Sequence, residues 1–188
     1  LTISGHLTIT FHQHMPSNIE IKARIKSVEP LKQVAASLSG SDPVEILQDD
    51  TFFTCEAGRL KLRAFTDGTG VLIFYQRADE KDPKESFFTT APTLAPDALR
   101  DTLSLAYGQS GRVKKHRTLF TAGRTRIHLD RVDGLGDYLE LEVMLADGEA
   151  AESGHQEAYA VMASLGVQHS QLVASAYVDL LTDKVANQ

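Results

Sequence analysis

An α+β fold, an eight-stranded antiparallel β-barrel with flanking helices, is what the sequence predicts. Three observations predict it: eight strand-length runs, three segments with helical spacing, and charged side chains that recur two residues apart within the strands. Residues i and i+2 of a strand share a face, so the third observation also says where charge collects.

The elements follow in chain order. Asn18–Ile25 alternates polar and apolar residues and predicts a strand with one face of each kind. Ser27 is placed to cap a helix running to about Leu38, with Glu29 and Pro30 in its first turn and Gly40 ending it. Strands over 44–54, 59–66 and 71–77 are separated by Glu-Ala-Gly and Asp-Gly-Thr-Gly turns, which makes a meander of hairpins. Residues 84–90 read as a short strand, and 95–106 as a helix with Pro96 and Asp97 at its start. A hairpin over 113–121 and 124–131 turns at Ala122-Gly123, a further strand covers 138–145, and helical spacing over 149–165 stops at Gly166.

Composition limits the function classes. Of the 188 residues, 42% are hydrophobic and 23% charged, which fits a globular chain and argues against a disordered or fibrous one. No apolar run approaches the ~20 residues of a membrane span. The net charge of −6 opposes a nucleic-acid-coating role, so cations for a phosphate-rich ligand have to be gathered locally by the fold. Cys55 is the one cysteine, so an internal disulfide and a multi-cysteine zinc site are excluded and a cytoplasmic location is expected. It lies beside a turn with nothing adjacent to activate it.

Residues 1–14 precede Met15 and read as a leader or an added edge strand, and no ligand set forms around His12 and His14. Residues 15–188 read as one domain, with no repeat or low-complexity linker to divide them. Monomer and homodimer are both compatible with the sequence.

Charged residues share strand faces, and on three strands they segregate by sign, Lys61/Arg63 and Lys115/Arg117 purely basic and Glu140/Glu142 purely acidic. Asn18, Glu20 and Lys22 share a face; Lys61 pairs with Arg63 and Lys115 with Arg117; Arg126, His128 and Asp130 share a face, as do Glu140 and Glu142. Solvated faces of amphipathic sheets explain most charge alternation, but they usually mix signs. The helices need an apolar sheet surface to pack on, which the alternate Ile, Leu, Val and Phe residues supply. The charged face is then the barrel interior, where a polyanion and its metal offset charges that are costly to bury. Basic pairs suit phosphate oxygens, and acidic pairs suit Mg²⁺ or Mn²⁺. His116 points away from the basic pair, whereas His128 has the parity of Asp130. Gly134-Leu-Gly lacks the context of a P-loop and reads as a turn.

Asn18-Ile-Glu-Ile-Lys22 resembles the Glu-x-Glu-x-Lys signature of the CYTH family, which includes class IV adenylate cyclases and thiamine triphosphatases. The likeness continues through Arg59-Leu-Lys-Leu-Arg63, Val113-Lys-Lys-His-Arg117, Thr125-Arg-Ile-His-Leu-Asp130, Gly134-Leu-Gly-Asp-Tyr-Leu-Glu-Leu-Glu142 and Ala176-Tyr-Val-Asp-Leu-Leu181. It covers nearly everything after residue 18 and is nearest the class IV cyclase-like branch.

The resemblance implies a triphosphate tunnel with Glu20, Glu140 and Glu142 around Mg²⁺ or Mn²⁺. It puts Lys22, Lys61, Arg63, Lys115, Arg117 and Arg126 on phosphates, and Asp130 in the acidic set or beside a basic neighbour that it orients. Glu20, Lys22 and Asp130 are the expected catalytic group. Arg77 stands where many members carry a Lys, in a register that one residue would reverse. Lys84 and Ser86 follow a loop-like segment and are weaker candidates. The family's first Glu is Asn18 here, which removes one negative charge from the metal site.

Three functions remain open at this point. One is an adenylate cyclase converting ATP to cyclic AMP and pyrophosphate. Another is a triphosphatase acting on tripolyphosphate, thiamine triphosphate or a nucleotide. The third is a non-catalytic polyphosphate-binding module. All three take a small triphosphate and none involves nucleic acid or a membrane.

Overall fold

Alternation fixes the first strand. Ser17–Arg24 (β1) turns Ile19, Ile21 and Ala23 to one side and Asn18, Glu20 and Lys22 to the other. The computed structural model describes residues 17–187, and the expectations for residues 1–14, His12 and His14 included, lie outside the described residues. After β1 come α1 (Glu29–Ser39) and a meander of β2 (Val44–Phe53), β3 (Arg59–Ala64), β4 (Gly70–Arg77) and β5 (Lys84–Thr93). Helix α2 (Pro96–Tyr107) leads to a second meander, β6 (Gln109–Ala122), β7 (Thr125–Val132) and β8 (Gly136–Met144). Helix α3 (Ala151–Ser164), a 3₁₀ turn at His169–Gln171 and α4 (Tyr177–Ala186) complete the described chain.

The strands form a closed barrel in the order β1-β5-β4-β3-β2-β6-β7-β8, with every neighbouring pair antiparallel. The two meanders join through β2 and β6, and β1 closes the ring between β5 and β8. Closure leaves no unpaired edge. The main apolar core lies outside the barrel, where β1, β7 and β8 face α1 and α3. Ile19, Ile21, Ile127, Leu129, Leu139, Leu141 and Val143 are each 1% exposed or less there, packed with Ala35, Ala158 and Met162 from the helices. Gly154 of α3 lies so close to β1 that a side chain on it would strike Ile19. A second cluster, with Phe52, Val113, Tyr138, Tyr177 and Val178, holds α4 against one end of the barrel.

Eight strands and the three helices expected between and after them are present, with adjusted boundaries. Strand β6 starts at Gln109 rather than at residue 113, β5 continues to Thr93 rather than stopping at residue 90, and α4 was not expected as a helix. The residue before α1 is Val28, not Ser27. The Val28 N–H donates to Asp137 Oδ2 at 2.9 Å, so a carboxylate from the start of β8 serves the helix end, and Ser27 Oγ accepts from Glu29 N–H at 3.3 Å. Gly40 ends α1 at φ 65°, a conformation that suits glycine. No helix among the described residues is long and apolar enough to cross a membrane.

Candidate functional site

The inward faces of the strands enclose a cavity of about 670 Å³. Strand β1 contributes Asn18, Glu20 and Lys22; β3, Lys61 and Arg63; β6, Lys115 and Arg117; β7, Arg126 and His128; and β8, Glu140 and Glu142. Arg77 also lines it, which settles the register in doubt at the end of β4. Antiparallel pairing sets Glu20 opposite Glu142, Lys22 opposite Glu140, and His128 opposite Glu140 on the other side. The charges expected on separate strands therefore meet in one lumen.

Arg117 is at the centre of the network. Its Nε and Nη2 donate to the two oxygens of Asp130 at 2.7 Å each, and Nη2 also reaches Glu140 Oε2 at 2.5 Å. Asp130 is fully buried and accepts from the Tyr177 hydroxyl at 3.1 Å, with Lys115 Nζ at 3.4 Å. Lys22 Nζ is 3.4 Å from Glu140 and 3.7 Å from Glu20, while the Arg77 guanidinium donates to Glu20. Arg126 is near Glu142, at 3.6 Å, with about half of its side chain exposed.

Across the lumen, Asp50 of β2 accepts two 2.7 Å bonds from Arg63 and one of 3.0 Å from Lys61. Burial would raise the carboxyls of Asp50, Asp130 and Glu140. Arg63 and Lys61 outweigh it at Asp50, Arg117 and Lys115 at Asp130, and Lys22, the neighbouring His128 and Arg117 at Glu140, so all three are held well below the usual carboxylate range. Burial together with Arg63 and Lys115 pulls the Lys61 ammonium down to about 8, and burial with Arg117 lowers Lys115.

These ionised groups do not cancel. The expected phosphate-contacting residues Lys22, Lys61, Arg63, Arg77, Lys115, Arg117 and Arg126 outnumber the carboxylates Glu20, Asp50, Asp130, Glu140 and Glu142 by two. Several buried polar atoms around the cavity also have no hydrogen-bond partner: Asn18 Oδ1, Gln48 Oε1, Arg77 Nε and His128 Nδ1. Buried polar atoms are normally satisfied, so a cationic lumen with open valences fits an anionic, oxygen-rich ligand. Glu140, Glu142 and His128 bring ligand atoms within 4.8 Å of one another, a donor set that fits a divalent ion.

Two contributors were not read from sequence. Asp50 is one, because the inward face of β2 also carries Ile46 and Phe52 and gives no clean alternation. Tyr177 is the other. Its ring has Lys22 Nζ at 4.5 Å and Lys115 Nζ at 5.0 Å from its centre, and burial with Asp130 nearby raises its hydroxyl well above the usual value, so it stays a donor.

The remaining sequence candidates separate cleanly. His116 sits on the outer surface, 2.7 Å from Glu45. Ser86 lines the cavity. Lys84 begins β5, as the strand expected from residue 84 requires, and its ammonium donates to the Glu80 and Ala174 carbonyls at 2.7 and 3.1 Å. Gly134 forms the β7–β8 turn at φ 77°, and Cys55 is half-buried and free.

A family model for the CYTH domain matches residues 17–177. The adenylate cyclase CyaB of Aeromonas hydrophila is 25% identical over 167 residues, which is 85% of this chain and 85% of that protein. Among solved structures, the PH1012 protein of Pyrococcus horikoshii superposes with a TM-score of 0.78 at 23% identity, over 87% of this chain and 99% of its own. HpAC1 from Hippeastrum, named for adenylyl cyclase and described as having a dominant triphosphatase activity, superposes with a TM-score of 0.61 at 12% identity, over 92% of this chain and 96% of its own.

Proposed function

From the premise that this chain belongs to the CYTH domain family, we propose that it is a cytoplasmic, metal-dependent adenylate cyclase that holds ATP in the barrel lumen. The observation that carries the reading is the composition of the cavity wall. Its surplus of cations is continuous with a half-buried apolar stretch of Phe65, Val71, Ile73 and Phe88 from the β3–β4–β5 side, together with Ile46 and Leu119. Inorganic tripolyphosphate would use only the cations. A nucleotide would use both parts.

Lys22, Lys61, Arg63, Arg77, Lys115, Arg117 and Arg126 bind the phosphate chain, exchanging carboxylate partners for phosphate oxygens. Asp130 positions Arg117 and Lys115. Glu140 and Glu142, with Glu20, would hold Mg²⁺ or Mn²⁺, which would supply charge neutralisation at the phosphates. As the ribose 3′-oxygen bonds to the α-phosphorus, the bond to the bridging oxygen breaks and pyrophosphate leaves. Glu20, freed from Arg77 once that guanidinium meets phosphate, takes the 3′-hydroxyl proton, and Lys22 steadies the developing charge.

Incubation with ATP and Mg²⁺ or Mn²⁺ tests this, with cyclic AMP and pyrophosphate expected in equal amounts. Orthophosphate release without cyclic nucleotide overturns the cyclase reading in favour of a triphosphatase, whereas the reduced acidic charge at Asn18 favours a module that only binds. Turnover that disappears in Glu142→Gln while tripolyphosphate still binds rules out a purely binding module.

A further inference from the structure

His128 completes the donor set of the acidic corner, yet the functional reading above gives the metal to carboxylates alone. It projects from β7 directly opposite Glu140 and is 3% exposed, with its Nδ1 buried and without a hydrogen-bond partner. That nitrogen lies 3.7 Å from Glu140 Oε2 and 3.9 Å from Glu142 Oε1. Both separations are too long for hydrogen bonds. They are the right size for something else, since two donors on one ion with bonds of ~2.1 Å stand at most ~4.2 Å apart.

We propose that His128 Nδ1 is a metal ligand alongside Glu140 and Glu142, so that the lumen holds its ion in a mixed nitrogen and oxygen site that selects Mn²⁺ over Mg²⁺. The inference rests on the metal-dependent reading above and adds the nitrogen. A neutral imidazole protonated at Nε2 presents a lone pair at Nδ1. Mn²⁺ shares the preference of Mg²⁺ for oxygen ligands but, as a first-row transition ion, also accepts an imidazole, whereas Mg²⁺ keeps its waters.

The neighbours are compatible with this assignment. Asn18, in place of the acidic residue expected there, lowers the anionic charge around the corner, so a nitrogen donor weighs more in the choice of ion. Arg117 and Lys22 both approach Glu140 and compete with an ion for its oxygens, at 2.5 and 3.4 Å. A phosphate chain that engages those two cations relieves the competition, so the ion binds more tightly with the anion than without it.

Pulsed electron paramagnetic resonance of Mn²⁺ on the intact chain, frozen with and without tripolyphosphate, tests both layers. Phosphorus hyperfine coupling reports that the ion meets the anion. Nitrogen coupling that changes from ¹⁴N to ¹⁵N on ¹⁵N-histidine labelling reports the ligand without any mutation. The expected spectrum carries both couplings, and His128→Gln removes the nitrogen coupling while Mn²⁺ affinity falls by roughly tenfold or more and Mg²⁺ affinity changes little. Phosphorus coupling without directly bonded nitrogen overturns the role of His128 and leaves the metal-triphosphate reading standing. Failure of Mn²⁺ to bind under either condition overturns both.

Discussion

At their centres the two faces of β1, β7 and β8 are both buried, and they differ in almost everything else. Outward, Ile21, Leu129 and Leu141 pack against helices and have no polar atoms to satisfy. Inward, Lys22, Asp130 and Glu140 are nearly as hidden from water but need charged partners, Glu140 for Lys22 and Arg117 for both carboxylates. The outer face gains stability from removing apolar surface, whereas the inner face exchanges stability for a preformed set of charges. A barrel closed by three helix-backed strands can carry that burden.

Removing a member of the inner set makes the sharpest test. Arg117→Ala leaves Asp130 and Glu140 short of their main partner and is expected to cost about 3–5 kcal/mol of folding stability, read by urea unfolding. A smaller loss would mean that Lys115 and Lys22 suffice. On the outer face, Leu141→Ala is expected to cost about 2–5 kcal/mol through the cavity it leaves, with tripolyphosphate affinity unchanged by calorimetry. A drop in affinity would show that the two faces are not independent.

Arg63→Ala addresses the far wall, where Asp50 keeps Lys61 as a partner. Tripolyphosphate binding is expected to weaken by about 1.5–3 kcal/mol, and unchanged affinity would remove Arg63 from the ligand. The smallest effect is a pH dependence. Lys61 is pulled down to about 8 in the free protein, and phosphate oxygens favour its charged form, so binding takes up a proton. Affinity is expected to fall as pH rises above about 8, by at most about tenfold per unit, and Lys61→Arg to flatten that slope. Calorimetry in buffers of different ionisation enthalpy measures the proton directly.

How far the sequence foretold this comparison depended on the strand. In β1 and β8, where one face is apolar beyond its first residue, parity placed Glu20, Lys22, Glu140 and Glu142 in the lumen before any coordinates. In β2 both faces are mixed, Ile46 and Phe52 inward and Glu45 and Asp49 outward, so Asp50 gave no sign of its partnership with Arg63. Tyr177 was quoted within a motif yet invisible as a contributor, because a tyrosine among apolar residues reads as core. Its contacts with Lys22, Lys115 and Asp130 depend on how α4 crosses the barrel end, where Gly111 leaves room for Val178. The cap of α1 was missed for a similar reason, since Asp137 comes from far along the chain.

The position of β1 in the ring has a kinetic consequence. It is the first of the described strands, yet both of its neighbours, β5 and β8, come from much later in the chain. Contacts between distant segments form only after the entropy of closing long loops has been met, and they slow folding. Each meander can zip through its own hairpins, but Glu20 and Lys22 join Glu140 and Glu142 only when the seam between β1 and β8 shuts. During refolding, secondary structure should therefore appear before any capacity to hold a triphosphate, and neither half of the barrel alone carries the site.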